Sequence, residues 1–361
     1  MKLSNVVNLL EQIAPTNFAE SWDNVGLLAG DPASSIRRIL LTIDFTSQVV
    51  REAISQRADL VIAYHPPIFE PIKRLTAKNP VFTAISNGIA LYSPHTALDV
   101  ADGGTNDMLA DVLGLIDRAP LRAASAEANE YKLVTFVPFE HVDKVSRALF
   151  AAGAGRIGNY TSCSFRAEGT GTFFGEPGTN PTVGKQGKLE KAEEIRLETV
   201  VPIARVDEVV RALRKSHPYE EPAFDLNQLA ASSSGGMGRI GSLKSASRSA
   251  IFSRIKRGLK INRLLIAGPR TGTLTRGAVC AGSCGNLVND AIAGGAQLFL
   301  TGEMRHHDAL KAAASGMTVV CALHSNSERP VLGRIQSKLK SLAPELKVAL
   351  SRADGDPFAI A

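Results

Sequence analysis

The two ends of this chain share one rhythm and its middle does not, and that contrast limits the folds open to it. Near the start, Arg38 to Asp44 (RILLTID), Asp59 to Tyr64 (DLVIAY) and Ile89 to Ser93 read as short apolar strands, with helical stretches at Ser47 to Gln56 and Pro80 to Asn87 between them. From about Asn262 the pattern returns. Strands are expected at Leu264 to Ala267, Gly277 to Ala281, Gln297 to Thr301, Thr318 to Ala322 and Lys347 to Leu350, and helices at Leu287 to Ala293, His306 to Ala314 and Glu328 to Leu342. Near-continuous apolar strands separated by helices build mostly parallel sheets covered on both faces, so both ends are expected to be α/β.

The middle reads instead as KLVTFVP (strand), HVDKVSRALFAAG (helix), SCSFRAEG with GTGTFFG (strand), a Gly/Pro loop, EEIRLETVVP (strand), VDEVVRALRKS (helix) and a last strand after His217. Two strand–helix–strand units of this length match a split βαβ, ferredoxin-like module. The Ala/Ser/Gly run Ala230 to Gly236 suits a return linker. The expected division is 1–128 and 236–361 as two halves of one α/β core, with 129–235 inserted between them.

A chain of 361 residues with 44% hydrophobic composition can fill cores of this size. Its net charge of +6 is spread among interleaved acids and bases, which reads as a mildly basic solvated surface, with nucleic-acid binding the minority option. Residues 1–15 pattern as an amphipathic helix broken by Asn5, Asn8 and Glu11, unlike a signal peptide, and no apolar run approaches the ~20 residues of a membrane span. Four cysteines are too few to staple the chain, so a reducing, cytoplasmic setting is expected.

In open α/β sheets, function collects beyond the carboxyl ends of strands. Ionisable residues gather at those places: His65 after Tyr64, His95 and Asp99 after Ser93, Glu303, His306 and His307 after Thr301, and His324 and Glu328 after Ala322. Imidazole with carboxylate is the ligand set of zinc, iron or manganese, and the four-residue spacing of His324 and Glu328 stacks two side chains on one helical face. His95 and Asp99 share the spacing, although TALD reads as a turn. A lone histidine at a strand end is more often hydrogen-bonded or solvated than a ligand; five at equivalent places weigh against that reading.

Other stretches carry weaker signals. Cys280 to Gly285 (CAGSCG) leads from a strand towards a helix near Asn286 and reads as an anion cradle or simply a tight turn. Cys280, Cys284 and Cys321 fit no zinc spacing and read as buried structural thiols. Asp102, Gly103, Gly104 and Asn106 suit a turn before a helix at Asp107 to Leu113. Trp22, Asp23 and Asn24 suit a packed loop or the floor of a pocket. Arg248 to Arg263 is a basic amphipathic stretch, with Ile251, Ile255 and Leu259 opposite Arg254, Lys256, Arg257 and Lys260. In HPYEEPA, His217, Glu220 and Glu221 form either a second polar site or a turn.

SWDNVGLLAGD (Ser21 to Asp31), YHPPIF (Tyr64 to Phe69), YSPHTALD (Tyr92 to Asp99), TGEMRHHDAL (Thr301 to Leu310) and HSNSE (His324 to Glu328) resemble the NIF-three-like family, whose bacterial members carry the name GTP cyclohydrolase I type 2 homologue and are described as dinuclear-metal-centre proteins. GRIGNY (Gly155 to Tyr160) and HPYEEPAFDL (His217 to Leu226) resemble the PII/CutA-like insertion of its longer members. The resemblance implies one or two divalent ions per chain (Zn, Fe or Mn) held by His65, Asp99, His324 and Glu328, and a homohexameric toroid. Tyr64 stands where many bacterial members have a further histidine, so a second metal position would need His95 or a water to complete it. Two functions follow as expectations. One is metal-assisted hydrolysis of a nucleotide-like substrate such as GTP, with Glu303, His306 or His307 moving the proton; the other is a non-catalytic metal-binding module whose insert senses a small molecule or partner.

Overall fold

The computed structural model describes residues 1–123, 130–157, 160–229 and 235–359. The chain divides into two compact units, Met1–Ser125 with Ser233–Ala361, and Ala126–Ser232.

Among the described residues, the first unit holds two large sheets. One runs in the order Gly26–Ala29, Ala90–Ser93, Leu60–Ala63, Arg38–Thr42, Lys347–Leu350, with an antiparallel pairing at the first junction and parallel pairing at the other three. Its central strands are buried along their whole length, as expected of a sheet covered on both faces. The helix Leu3–Ile13 lies in one cover, burying Leu3, Val6, Leu10 and Ile13 at helical spacing. Thr46 caps the helix Ser47–Ser55 and Asn79 caps Pro80–Ser86, each side chain accepting a bond from a first-turn amide.

The second sheet runs Leu265–Ala267, Thr318–Cys321, Leu298–Glu303, Thr273–Ser283, Arg239–Ser247, Leu115–Ala119. Only its two central junctions are parallel, and antiparallel strands flank them. The sheets also trade strands: Leu115–Ala119, from the front of the chain, pairs in the second sheet, and Lys347–Leu350, from the rear, pairs with Arg38–Thr42 in the first.

Two local expectations are corrected. TALD is the body of a helix, His95–Val100, rather than a turn. The helix expected from Glu328 to Leu342 is two, His324–Glu328 and Pro330–Leu342, divided at Pro330, whose missing amide suits a helix start.

The unit Ala126–Ser232 has the element order strand, helix, strand, strand, helix, strand. Its antiparallel sheet runs Phe224–Gln228, Glu130–Pro138, Leu189–Pro202, Phe165–Phe174, and the helices Val142–Ala151 and Val206–Ser216 bury Val145, Leu149, Val209 and Leu213 in its core. Of the expected linker Ala230 to Gly236, residues 230–234 lie outside the described residues. Among the described residues, no helix is long and apolar enough to cross a membrane.

Candidate metal centre

Strand exits of both sheets converge on one buried carboxylate. His65 follows the strand Leu60–Ala63, His324 follows Thr318–Cys321, and Glu328 stands four residues after His324 on the same short helix. His324 Nε2 is 3.1 Å from Glu328 Oε1, and His65 Nε2 is 3.5 Å from Glu328 Oε2. One ligand-type atom from each of the three residues lies within 4.8 Å of the others.

The backbone is bent to make this meeting. Leu323, just before His324, has φ 71° and ψ 153°, a region that side chains other than glycine rarely enter and that costs on the order of 1–3 kcal/mol. On the opposite wall Gly282 has φ +60°, and a Cβ there would stand 2.5 Å from Glu328 Oε1 and 3.2 Å from His324 Nε2. CAGSCG is thus a turn whose glycine lets the main chain close against the carboxylate. Gly282 N donates to Ser327 Oγ at 2.8 Å, and Ser327 Oγ donates to the carbonyl of His324 at 2.7 Å, so wall and ligand helix are tied together.

Glu328 is 3% exposed, and among the described residues its Oε2 has no hydrogen-bond partner. A buried carboxylate oxygen without a donor is costly, and a cation facing it removes the cost. The outer nitrogens of both histidines are already committed to carboxylates: His65 Nδ1 to Asp44 Oδ1 at 2.9 Å and His324 Nδ1 to Glu303 Oε1 at 3.1 Å. Such outer bonds fix ring orientation and leave Nε2 as the inward lone pair, the usual arrangement of histidines that hold a metal. The residues present therefore fit a divalent ion.

The electrostatics agree. Burial pulls the His65 imidazolium towards losing its proton, but the bond to Asp44 and the facing negative charge of Glu328 outweigh it and push the pKa up to about 10. The bond to Glu328 raises His324 to about 9 against the effect of burial. Burial alone would raise Glu328, yet the two facing imidazoles hold it below the usual carboxylate range. Negative charge at this point demands positive charge, and without a metal that charge is two protons.

Asp99 lies one layer back. The hydroxyl of the fully buried Tyr64 donates to Asp99 Oδ1, and burial pushes the carboxyl of Asp99 up to about 6. Asn106 links this layer to the wall, its amide donating to the carbonyl of Asp99 at 3.0 Å and its oxygen accepting from Ala281 N at 2.9 Å. The helix carrying it begins at Thr105, ahead of the expected Asp107, which makes Asn106 part of a helix rather than a turn. His95 lines the same site, its ring centroid 5.4 Å from that of His65 and 5.7 Å from that of Tyr64. Its Nδ1 is 2.8 Å from Oδ1 of Asp23, whose other oxygen accepts from the amide and hydroxyl of Thr96.

The remaining candidates divide. Glu303 reaches the cluster through His324. His306 and His307 are exposed and pair with each other at 5.4 Å, and among the described residues no hydrogen bond joins either to the cluster. Asp44 is absent from the sequence reading of the site, although it follows the strand Arg38–Thr42 and the strand-exit rule applies to it equally; Asp23 belongs to the loop read as a possible pocket floor. Burial pushes the thiols of Cys284 and Cys321 up to about 11 and that of Cys280 well up, as structural cysteines require. In the basic stretch, helical over Arg248–Leu259, Arg248 is buried and bonds Thr318 and Thr271, and Arg254 bonds the carbonyl of Leu113.

Residues 1–357 match the family Duf34/NIF3 (NGG1p interacting factor 3). The chain is 38% identical to a protein named GTP cyclohydrolase 1 type 2 homolog from Halalkalibacterium halodurans, covering 99% of both chains. It is 35% identical to the protein of the same name from Bacillus subtilis, covering 98% of this chain and 97% of that one. Among solved structures, a Bacillus cereus protein related to NIF3 superposes with a TM-score of 0.79 at 34% identity, covering 100% of this chain and 99% of that one. On these matches and the α/β fold that accompanies them, the chain belongs to the Duf34/NIF3 family.

Proposed function

We propose that this protein binds a divalent ion at His65, His324 and Glu328 and uses it to hydrolyse a nucleotide-like substrate, the GTP-cyclohydrolase type of reaction that its relatives' names carry. The observation behind this reading is the buried Glu328 carboxylate, with one oxygen lacking a hydrogen-bond donor and two histidine Nε2 atoms turned towards it. A bound ion of the zinc, iron or manganese type supplies Lewis acidity at that point. Asp44 and Glu303 hold the two imidazoles in register, and Glu303, 57% exposed at its side chain, is placed to exchange protons with solvent. His95 and Asp99 are the nearest further donors. Because the Tyr64 phenol occupies Asp99, the reading assigns one ion to the front position and a second only when that bond opens.

The competing reading, a non-catalytic metal-binding module, draws on the unit Ala126–Ser232. That unit carries an open pocket of about 550 Å³ whose lining includes Phe136, Glu194, Arg196 and Tyr219, room enough for a small ligand. Under either reading we expect a cytoplasmic homo-oligomer, a hexamer by family likeness, with a PII/CutA-like insert.

Elemental analysis and turnover separate these readings. The purified protein should carry one to two divalent ions per chain, and Glu328→Ala should lose most of them with an unchanged circular-dichroism spectrum. Metal-loaded protein should open the imidazole ring of GTP, and chelated protein should not. Wild-type metal content in Glu328→Ala defeats the metal assignment; loaded protein that turns over no nucleotide favours the non-catalytic module.

A further inference from the structure

The chain's single tryptophan stands at the lip of this site with most of its surface in solvent. Trp22 is 59% exposed and Phe69 beside it is 49% exposed, an arrangement that folding alone does not favour for two large aromatic rings. Both are held there. Asp23, next in the chain, has a fully buried side chain bonded to His95 and Thr96, and Asn24 Nδ2 donates to the carbonyl of Ile68 at 2.5 Å, tying the loop of Trp22 to the loop of Phe69. The indole lies 6.2 Å from His95, centroid to centroid, and His95 lies 5.4 Å from His65. Neither neighbour lies flat on the indole: Phe69 meets it at 62° and His95 at 77°.

We infer that Trp22, with Phe69 at its edge, is the positioning platform on which the planar aromatic heterocycle of the substrate stacks, one imidazole away from the metal cluster. This rests on the hydrolase reading and narrows it to substrates bearing a nucleobase-like ring. Base stacking on an exposed aromatic is sequence-tolerant and strong enough to dominate recognition of such a ring. A ring held there is oriented by an anchor that takes no part in holding the metal.

Because Trp22 is the only tryptophan, its emission reports this position alone. Titrating the full-length, zinc-loaded protein with GTP should quench it saturably, and ribose 5-triphosphate, which lacks the base, should not. By equilibrium dialysis, Trp22→Ala should weaken GTP binding at least about tenfold, equivalent to ~1.4 kcal/mol, and Trp22→Phe should recover most of the loss. Both variants should keep wild-type zinc content and melting temperature, and in turnover the effect should fall on KM rather than kcat. Unchanged GTP affinity in Trp22→Ala overturns the platform, as does quenching by ribose 5-triphosphate equal to that by GTP. Neither result touches the metal assignment, which stands or falls on the zinc content of Glu328→Ala.

Discussion

His65 of the first unit and His217 of the second are both largely buried, and their surroundings make them opposites. His65 has a carboxylate on each side, so its proton is held tightly. Among the described residues, the hydrogen-bond partners of His217 are main chain: its Nε2 is 3.0 Å from the carbonyl of Phe136, and its Nδ1 accepts from Tyr219 N at 3.1 Å. Burial therefore pushes its pKa down. Burial of an imidazole does not by itself mark a functional site; the charge of the groups it faces does. Glu220 and Glu221 do not change this, because they bond outward to Asn180 N and Arg214 rather than to His217. HPYEEPA is pinned by its histidine, while Tyr219, Glu220 and Glu221 line the pocket of this unit.

The two regions should answer pH in opposite senses. His65 and His324, raised to about 10 and about 9, stabilise the metal-free fold fully below the unfolded histidine pKa of ~6.5, and that stabilisation is lost as pH rises through their folded values. The same protons compete with a metal. Between pH 7 and 9 the apparent zinc affinity should therefore climb by about tenfold per pH unit for each proton displaced, up to about a hundredfold for two, which a competition titration with a chromophoric chelator measures. A flat profile would show that the imidazoles hold no protons for the metal to displace in this range. His217, depressed, stabilises its unit above pH ~6.5 and ceases to as pH falls through its folded value, so acid should loosen that unit while alkali loosens the metal-free core.

Tyr64 offers a sharper test within the core. Tyr64→Phe frees Asp99 from its phenol, and Tyr64→His adds an imidazole in its place. Metal content should rise from near one ion per chain towards two, most in Tyr64→His, as read by elemental analysis after dialysis against zinc. An unchanged stoichiometry would mean that Asp99 holds no second ion. The smallest effect is expected in the other unit. His217→Ala strands a carbonyl and an amide, costs on the order of 2 kcal/mol in a denaturant melt, and leaves metal content at the wild-type value.

The strand-exit rule made much of the site legible. It singles out His65, His95, Asp99, Glu303, His324 and Glu328 because the carboxyl ends of neighbouring strands share one edge of a sheet, and it equally singles out His306 and His307, which face each other instead. Pairing across the molecule was not legible. Nothing local in KVAL says that Lys347–Leu350 pairs with Arg38–Thr42, since a short apolar run suits either sheet. TALD misled because His95 enters its helix with φ 23°, a conformation imposed by the bonds from Asp23 to His95 and Thr96 rather than by local propensity. The spacing of Asp99 from His95 is visible in sequence, whereas the Tyr64 hydroxyl bonded to Asp99 is visible only in space.

The late strand Lys347–Leu350 has a consequence for synthesis. Arg38–Thr42 offers a bare parallel edge from the moment the front of the chain leaves the ribosome, and its native neighbour follows some three hundred residues later. An apolar edge left open for that interval invites pairing with nascent copies of the same protein, so the first sheet is the part of the molecule most dependent on chaperone cover.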